Sequence, residues 1–179
     1  GINVTASHNP KEYNGYKVYW EDGAQLPPQH ASAIAKELEK IDIFTGITTM
    51  PYDEAVKNGT ITVMGAETDE AFLKEVMAMV TDTEAIPAVA DRFKLVYTPF
   101  HGCGHALVPE ALKRAGVKHL LCEPEQMKID GNFPTVKSPN PENPEGFYLA
   151  VDLAKQNDVD FILGTDPDSD RVGIMVRDK

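Results

Sequence analysis

The sequence predicts an α/β fold: two α/β sandwich domains, the first incomplete, built on mixed or parallel sheets flanked by helices. Three observations predict it. Beyond residue 91, apolar runs of strand length alternate with stretches of helical spacing. The strand-like runs end at Thr98-Pro99, Glu123-Pro124 and Thr165-Asp166, the strand C-termini at which such sheets carry their functional loops. A change in composition near residue 68 divides the chain into 1–67 and 68–179.

Taken in order, Ile2-Asn3-Val4-Thr5 is a short strand running into Ala6-Ser7-His8-Asn9-Pro10, where Asn9 favours a turn and Pro10 bars a helix. The next strand, Tyr16 to Trp20, has a period of two that sets Tyr16, Val18 and Trp20 on one face and Lys17 opposite, toward a cleft. Pro27-Pro28 opens a helix whose Ala31, Ile34, Ala35, Leu38 and Ile41 pack on a sheet. The stretch from Asp42 to Met64 carries no firm pattern. Thr68 is placed as N-cap of a helix with the stripe Phe72, Leu73, Val76, Met77 and Val80. Strand Leu95–Thr98, a helix to Ala115 closed by Gly116, and strand His119–Cys122 then form a βαβ unit. A Pro-rich loop from Glu123 to Pro144 leads to a helix through Ala150 and Ala154, strand Asp160–Gly164, and a last strand, Val172–Val176.

With 42% apolar residues, 179 residues bury a real core. The net charge of −11 excludes nucleic acid and anionic membrane as partners, since no basic stripe exists to meet phosphates. No apolar run reaches the roughly 20 residues of a membrane span. Cys103 and Cys122 form no framework or metal spacing, which predicts a reducing, cytoplasmic setting and makes the sequons at Asn3 and Asn58 incidental. A chain that starts at Gly1 and enters loop chemistry within seven residues reads as a fragment.

The chemistry concentrates in Asp166-Pro167-Asp168-Ser169-Asp170-Arg171, which sets three carboxylates at i, i+2 and i+4 after an apolar strand. Charges ~4 Å apart repel by roughly 4 kcal/mol at an effective dielectric of 20, so the cluster calls for a divalent ion. A solvated acidic turn is the plain alternative, and an aspartyl-phosphate nucleophile at Asp166 is a second. An EF-hand fails, because its Gly and Glu positions hold Arg171 and Arg177. Ser7-His8 does not read as a hydrolase pair, since adjacent side chains seldom reach nucleophile-to-base geometry and no Gly-x-Ser-x-Gly elbow occurs. Gly102-Cys103-Gly104 lacks the third glycine of a dinucleotide loop and reads as a tight turn, and Cys103 receives no role.

Thr5-Ala6-Ser7-His8-Asn9-Pro10, Asn14-Gly15-Tyr16-Lys17 and Asp166 to Arg171 together resemble the α-D-phosphohexomutase family, which includes phosphoglucomutase and phosphomannomutase. Asp130-Gly131-Asn132-Phe133-Pro134 and Pro139-Asn140-Pro141-Glu142 extend the likeness over nearly the whole chain. The resemblance implies that the chain covers the end of domain I (1–67) and most of domain II (68–179). It implies that Ser7 carries a phosphoryl group, that Asp166, Asp168 and Asp170 bind Mg²⁺ with a phosphoserine oxygen, and that His8 contacts the phosphoryl group. Lys17 would be the general acid or base and Arg171 would stabilise charge. The implied reaction interconverts hexose 1-phosphate and hexose 6-phosphate, most simply of glucose, through a bisphosphorylated sugar such as glucose 1,6-bisphosphate. Pro167 and Ser169 replace residues that are often glycine and point to the phosphoglucomutase and phosphopentomutase branch. The Gly-Glu-x-Ser-Gly and Arg-x-Ser-Gly-Thr loops of domains III and IV do not occur, so this piece alone is expected to be inactive. A non-catalytic cation-binding module is the alternative of a different class.

Overall fold

The structure is a computed structural model that describes residues 1–178; Lys179, the last residue of the expected second domain, lies outside the described residues. The chain forms two compact units. One comprises Gly1–Val4 and Tyr16–Thr68, the other Thr5–Gly15 and the chain from Asp69 onward.

In the first unit, β1 (Ile2–Val4) and β2 (Tyr16–Val18) pair antiparallel, with Asn3 opposite Lys17. The strand expected to reach Trp20 stops at Val18. Trp20 donates its amide to the Ala24 carbonyl in the following turn and stacks its ring on His30, centroids 4.9 Å apart. Helix α1 (Pro28–Leu38) begins with Pro at its first position, where the missing N–H costs nothing. Its Ala31, Ile34, Ala35 and Leu38 line a cavity of about 260 Å³ with Tyr16, Val18 and Leu26. No α1 residue is buried, because the sheet it meets has two strands. Helix α2 (Tyr52–Lys57), with Ala55 buried, falls in the stretch where the sequence carries no pattern. Helix α3 (Ala66–Ala78), of which Asp69 onward belongs to the second unit, starts two residues before the expected N-cap Thr68. The Glu67 carboxylate, not the Thr68 hydroxyl, closes its start by accepting the Gly65 amide at 3.2 Å.

The second unit holds a four-stranded sheet in the order β4-β3-β5-β6, formed by β3 (Lys94–Thr98), β4 (His119–Cys122), β5 (Phe161–Thr165) and β6 (Val172–Val176). Strands β4, β3 and β5 are parallel and β6 runs antiparallel to β5, which makes the sheet mixed. Central strand β3 is covered on both faces and is accordingly a near-continuous apolar run. Helix α5 (Tyr148–Asn157) lays Ala150 and Ala154 over Val96 and Ile162, and Phe100 and Phe147 meet edge to face at 5.0 Å in the same core. A side chain at Gly164 would collide with the Phe147 ring, 2.6 Å from Cε1, so the bare backbone there lets the ring reach the sheet. On the opposite face, Gly104 at the start of α4 (Gly104–Arg114) lies against Tyr97 and Thr165. Edge strand β6 leaves Val172, Ile174 and Val176 exposed.

Beyond β4 polar groups anchor the chain alongside the apolar burial of Val136 and Pro139. Glu123 accepts the Gln126 amide at 2.6 Å, and the Gln126 side chain bonds to Thr98, Thr135 and the Gly146 carbonyl. The ring of buried His101 bonds to the Lys128 carbonyl and to Thr135, each at 2.8 Å. Thr98 and Glu123, two of the strand ends expected to be functional, therefore serve this anchor.

Among the described residues no helix is long and apolar enough to cross a membrane. Ile162→Ala removes a buried side chain from the α5 face and is expected to destabilise the second unit by about 2–5 kcal/mol. Val172→Ala, on the open face of β6, should stay within about 0.5 kcal/mol. Urea unfolding followed by circular dichroism checks both, and comparable losses would mean that the core face is misassigned.

Candidate active site

Strand β5 delivers Asp166 to the end of the sheet with its carboxylate fully buried. The loop after it is held from three sides. Thr165 bonds to the Tyr97 hydroxyl beneath it at 2.9 Å. The Ser169 amide donates to the Asp166 carbonyl at 3.0 Å, with Ser169 in the left-handed region at φ 59°. Pro167 is clasped by the Gly102-Cys103 turn, whose Cys103 amide donates to the Pro167 carbonyl at 2.8 Å. Any side chain at Gly102 would overlap the Pro167 backbone, so this glycine belongs to the support of the aspartate loop. Within the loop, Asp166, Asp168 and Asp170 each offer an oxygen, and these oxygens all lie within 4.8 Å of one another. They grade from buried through half-buried to exposed.

The serine loop, Thr5–Gly15, packs in the same unit. The Thr5 amide closes its base on the Gly15 carbonyl at 3.0 Å. Ser7 adopts φ 53°, uncommon for a residue with a side chain, and its amide donates to the Thr5 hydroxyl oxygen at 2.8 Å. In this conformation the Ser7 hydroxyl donates to Asp166 Oδ2 at 3.1 Å and also meets His8 Nδ1 at 3.2 Å. Adjacent Ser7 and His8 are thus within hydrogen-bond distance of each other. The serine has one proton. An ionised Asp166 can only accept, so the proton goes to Asp166 and His8 Nδ1–H donates to Ser7 Oγ. In this tautomer His8 is a donor aimed at the serine oxygen.

Asp166 Oδ1 accepts the Arg171 amide at 3.0 Å, while the Arg171 guanidinium pairs with Glu142 at 3.1 Å. Burial pushes the Asp166 carboxyl up to about 6, and the neighbouring Asp168 carboxylate adds to the rise against the Arg171 and Ser7 hydrogen bonds. Carboxylate oxygens this close, one of them raised by burial and like charge, form a hard donor set that suits Mg²⁺. Ser7, His8, Asp166, Asp168, Asp170 and Arg171 are thus gathered within one unit, whereas Lys17 belongs to the other, half-buried on β2.

Comparison with known proteins identifies the family. Residues 70–179 match the family description "Phosphoglucomutase/phosphomannomutase, alpha/beta/alpha domain II", and residues 1–43 match its domain I. The chain belongs to the phosphoglucomutase/phosphomannomutase family. A phosphoglucomutase from Staphylococcus saprophyticus is 38% identical over 177 residues, covering 99% of this chain and 31% of that protein. A phosphoribomutase from Saccharomyces cerevisiae is 34% identical over 187 residues, covering 99% and 30%. The crystal structure of a phosphoglucomutase/phosphomannomutase family protein from Burkholderia thailandensis superposes with a TM-score of 0.65 at 25% identity, over 98% of this chain and 33% of that one. The fold is also that of a candidate phosphomannomutase from Thermus thermophilus, TM-score 0.72 at 21% identity over 98% and 36%. The chain spans about 31% of the length of the Staphylococcus phosphoglucomutase.

Four residues near the phosphoglucomutase/phosphomannomutase motifs had no functional assignment from sequence: Thr5, Tyr97, Gly102 and Glu142. Thr5 and Glu142 sit inside the motifs that carry the family likeness, which is the signal that could have singled them out.

The folded-state value of Asp166 lies above its ordinary 3.8. The stability this carboxyl lends the metal-free protein is therefore fully present below 3.8 and lost as pH rises through about 6. Cation binding needs the ionised form, so Mg²⁺ affinity should fall as pH drops through about 6, with proton release on binding. Calorimetric titrations in two buffers of different ionisation enthalpy measure both, and an affinity that is flat across roughly pH 5 to 8 would remove Asp166 from the metal site.

Proposed function

We propose that the chain supplies the phosphoserine loop and metal loop of a Mg²⁺-dependent phosphosugar mutase that interconverts hexose 1-phosphate and hexose 6-phosphate. Glucose is the first choice of sugar, since the Staphylococcus relative is named a phosphoglucomutase. The observation that carries this reading is the Ser7 hydroxyl held 3.1 Å from Asp166, within the group of three aspartates. The remaining domains of a longer polypeptide would bind the sugar and its second phosphate, with the reaction in the cytoplasm.

Serine is a weak phosphoryl donor and acceptor unless charge around the phosphoryl group is neutralised. Asp166, Asp168 and Asp170, with a phosphoserine oxygen, would hold Mg²⁺, which would supply charge neutralisation there. His8 donates to the serine oxygen, and Arg171 adds positive charge beside the loop. In the first transfer the bond from phosphorus to Ser7 Oγ breaks as a bond to a sugar hydroxyl oxygen forms, that hydroxyl's proton passes to the Lys17 amine, and Ser7 Oγ leaves as an oxyanion stabilised by the hydrogen bond from His8. The sugar is now a bisphosphate, glucose 1,6-bisphosphate in the glucose case. After it reorients, its other phosphoryl group returns to Ser7 Oγ and Lys17 gives its proton to the departing sugar oxygen.

Asp166 is poorly placed as a nucleophile in its own right, because one oxygen accepts the Arg171 amide and the other the Ser7 hydroxyl. Acid-stable phosphoserine, as opposed to hydroxylamine-labile acyl phosphate, separates the two. The name of the yeast relative, phosphoribomutase, favours a pentose phosphate as the second choice of substrate.

In a full-length protein carrying this segment, Lys17→Met is expected to lower kcat by about 10²–10⁴ with little change in KM. Steady-state kinetics on glucose 1-phosphate measure this, and a near-normal kcat would take Lys17 out of the mechanism. Phosphorylating Ser7 adds roughly −1.5 to −2 charge beside the aspartates and should tighten Mg²⁺ binding by about 1–3 kcal/mol. Asp168→Asn should shrink the difference. Matched calorimetric titrations of phosphorylated and unphosphorylated protein decide it, and equal affinities would favour a plain cation-binding module.

A further inference from the structure

We propose that Thr5 is the positioning residue that keeps the serine loop and the aspartate loop in register, through a hydroxyl shared between the Ser7 amide and the Asp168 carboxylate. The inference rests on the reading of this site as a phosphoserine beside a metal loop.

The direction of each bond follows from the groups involved. The Ser7 amide can only donate, so Thr5 Oγ1 accepts from it at 2.8 Å. The Thr5 hydroxyl proton is then left to donate to Asp168 Oδ2, 3.3 Å away. One bond holds the serine at its left-handed φ of 53°, and the other orients an aspartate of the proposed metal set. The pattern is a two-point clasp: Thr5 and Ser7, two residues apart, reach Asp168 and Asp166, also two residues apart. The two points respond differently to phosphorylation. Once Ser7 Oγ is esterified it has no proton to give, and its bond to Asp166 is lost. Thr5 keeps its proton, so its bond to Asp168 holds the loops together in both states of the serine. An outer hydrogen bond that orients a metal-binding carboxylate commonly changes metal affinity by about 10–100-fold when removed.

The test compares Thr5→Val, which keeps the shape and loses the hydroxyl, with Thr5→Ser, which keeps the hydroxyl and loses the methyl. Two readouts are taken on the 179-residue protein: Mn²⁺ affinity by electron paramagnetic resonance, and hydrogen exchange at the Ser7 amide by NMR. Thr5→Val is expected to weaken Mn²⁺ binding about tenfold or more and to speed Ser7 amide exchange about tenfold, with the Leu95 and Val96 amides unchanged. Thr5→Ser should restore both to within about twofold. Should Thr5→Val not fold, Thr5→Ala against Thr5→Ser makes the same comparison. Wild-type behaviour in the variant without the hydroxyl overturns the proposal, and so does a Thr5→Ser protein as impaired as Thr5→Val, which would assign the effect to methyl packing. If the unaltered protein binds no Mn²⁺, the metal reading falls and the role of Thr5 toward it falls as well. If the unaltered protein binds and Thr5→Val binds equally well, only the role of Thr5 falls.

Discussion

Burying one carboxylate beside two others is the constraint on which the second unit depends. Asp166 has no exposure at the end of β5 and has Asp168 as a close neighbour. An arrangement that resists its own charge has to be built by the surrounding chain. The Arg171 amide and the Ser7 hydroxyl meet the two oxygens of Asp166, the Gly102 turn clasps Pro167, and Tyr97 with Thr165 forms the floor. The strain that remains unrelieved shows as a carboxyl raised toward 6 and is what a divalent cation would relieve.

The support reaches further than the loop itself. Glu142 extends from the segment after β4 to pair with Arg171, and that segment is in turn anchored on Thr98 by Gln126. Gln126 is fully buried yet satisfied at its amide, carbonyl and side chain, so the anchor tolerates burial without leaving polar groups stranded. A polar anchor also fixes geometry more narrowly than apolar packing does, because each bond has a direction. That suits a segment which must present one carboxylate to one guanidinium.

The βαβ unit was legible because burial on both faces of a sheet leaves short, nearly continuous apolar runs between turn signals, as in Leu95 to Thr98. The aspartates and Ser7 were legible as motifs, from spacing in the first case and from family likeness in both. What escaped notice lacks a local trace. Helix α2 is short and buries only Ala55, too little to leave a stripe. Trp20 was assigned to a strand face by a period that the turn at Ala24 cuts short. The left-handed backbone of Ser7, and the bond from Thr5 to a residue 163 positions away, follow from tertiary packing alone.

The serine loop has a topological side. The chain leaves the first unit after Val4, spends Thr5 to Gly15 in the second, and returns at Tyr16. The second unit is therefore discontinuous in sequence. Excising it by a single cut after residue 68 would yield a piece with the aspartates and no serine to face them. A gene dissection that respects the compact units needs to graft the eleven-residue strap onto the later segment, as in a circular permutation.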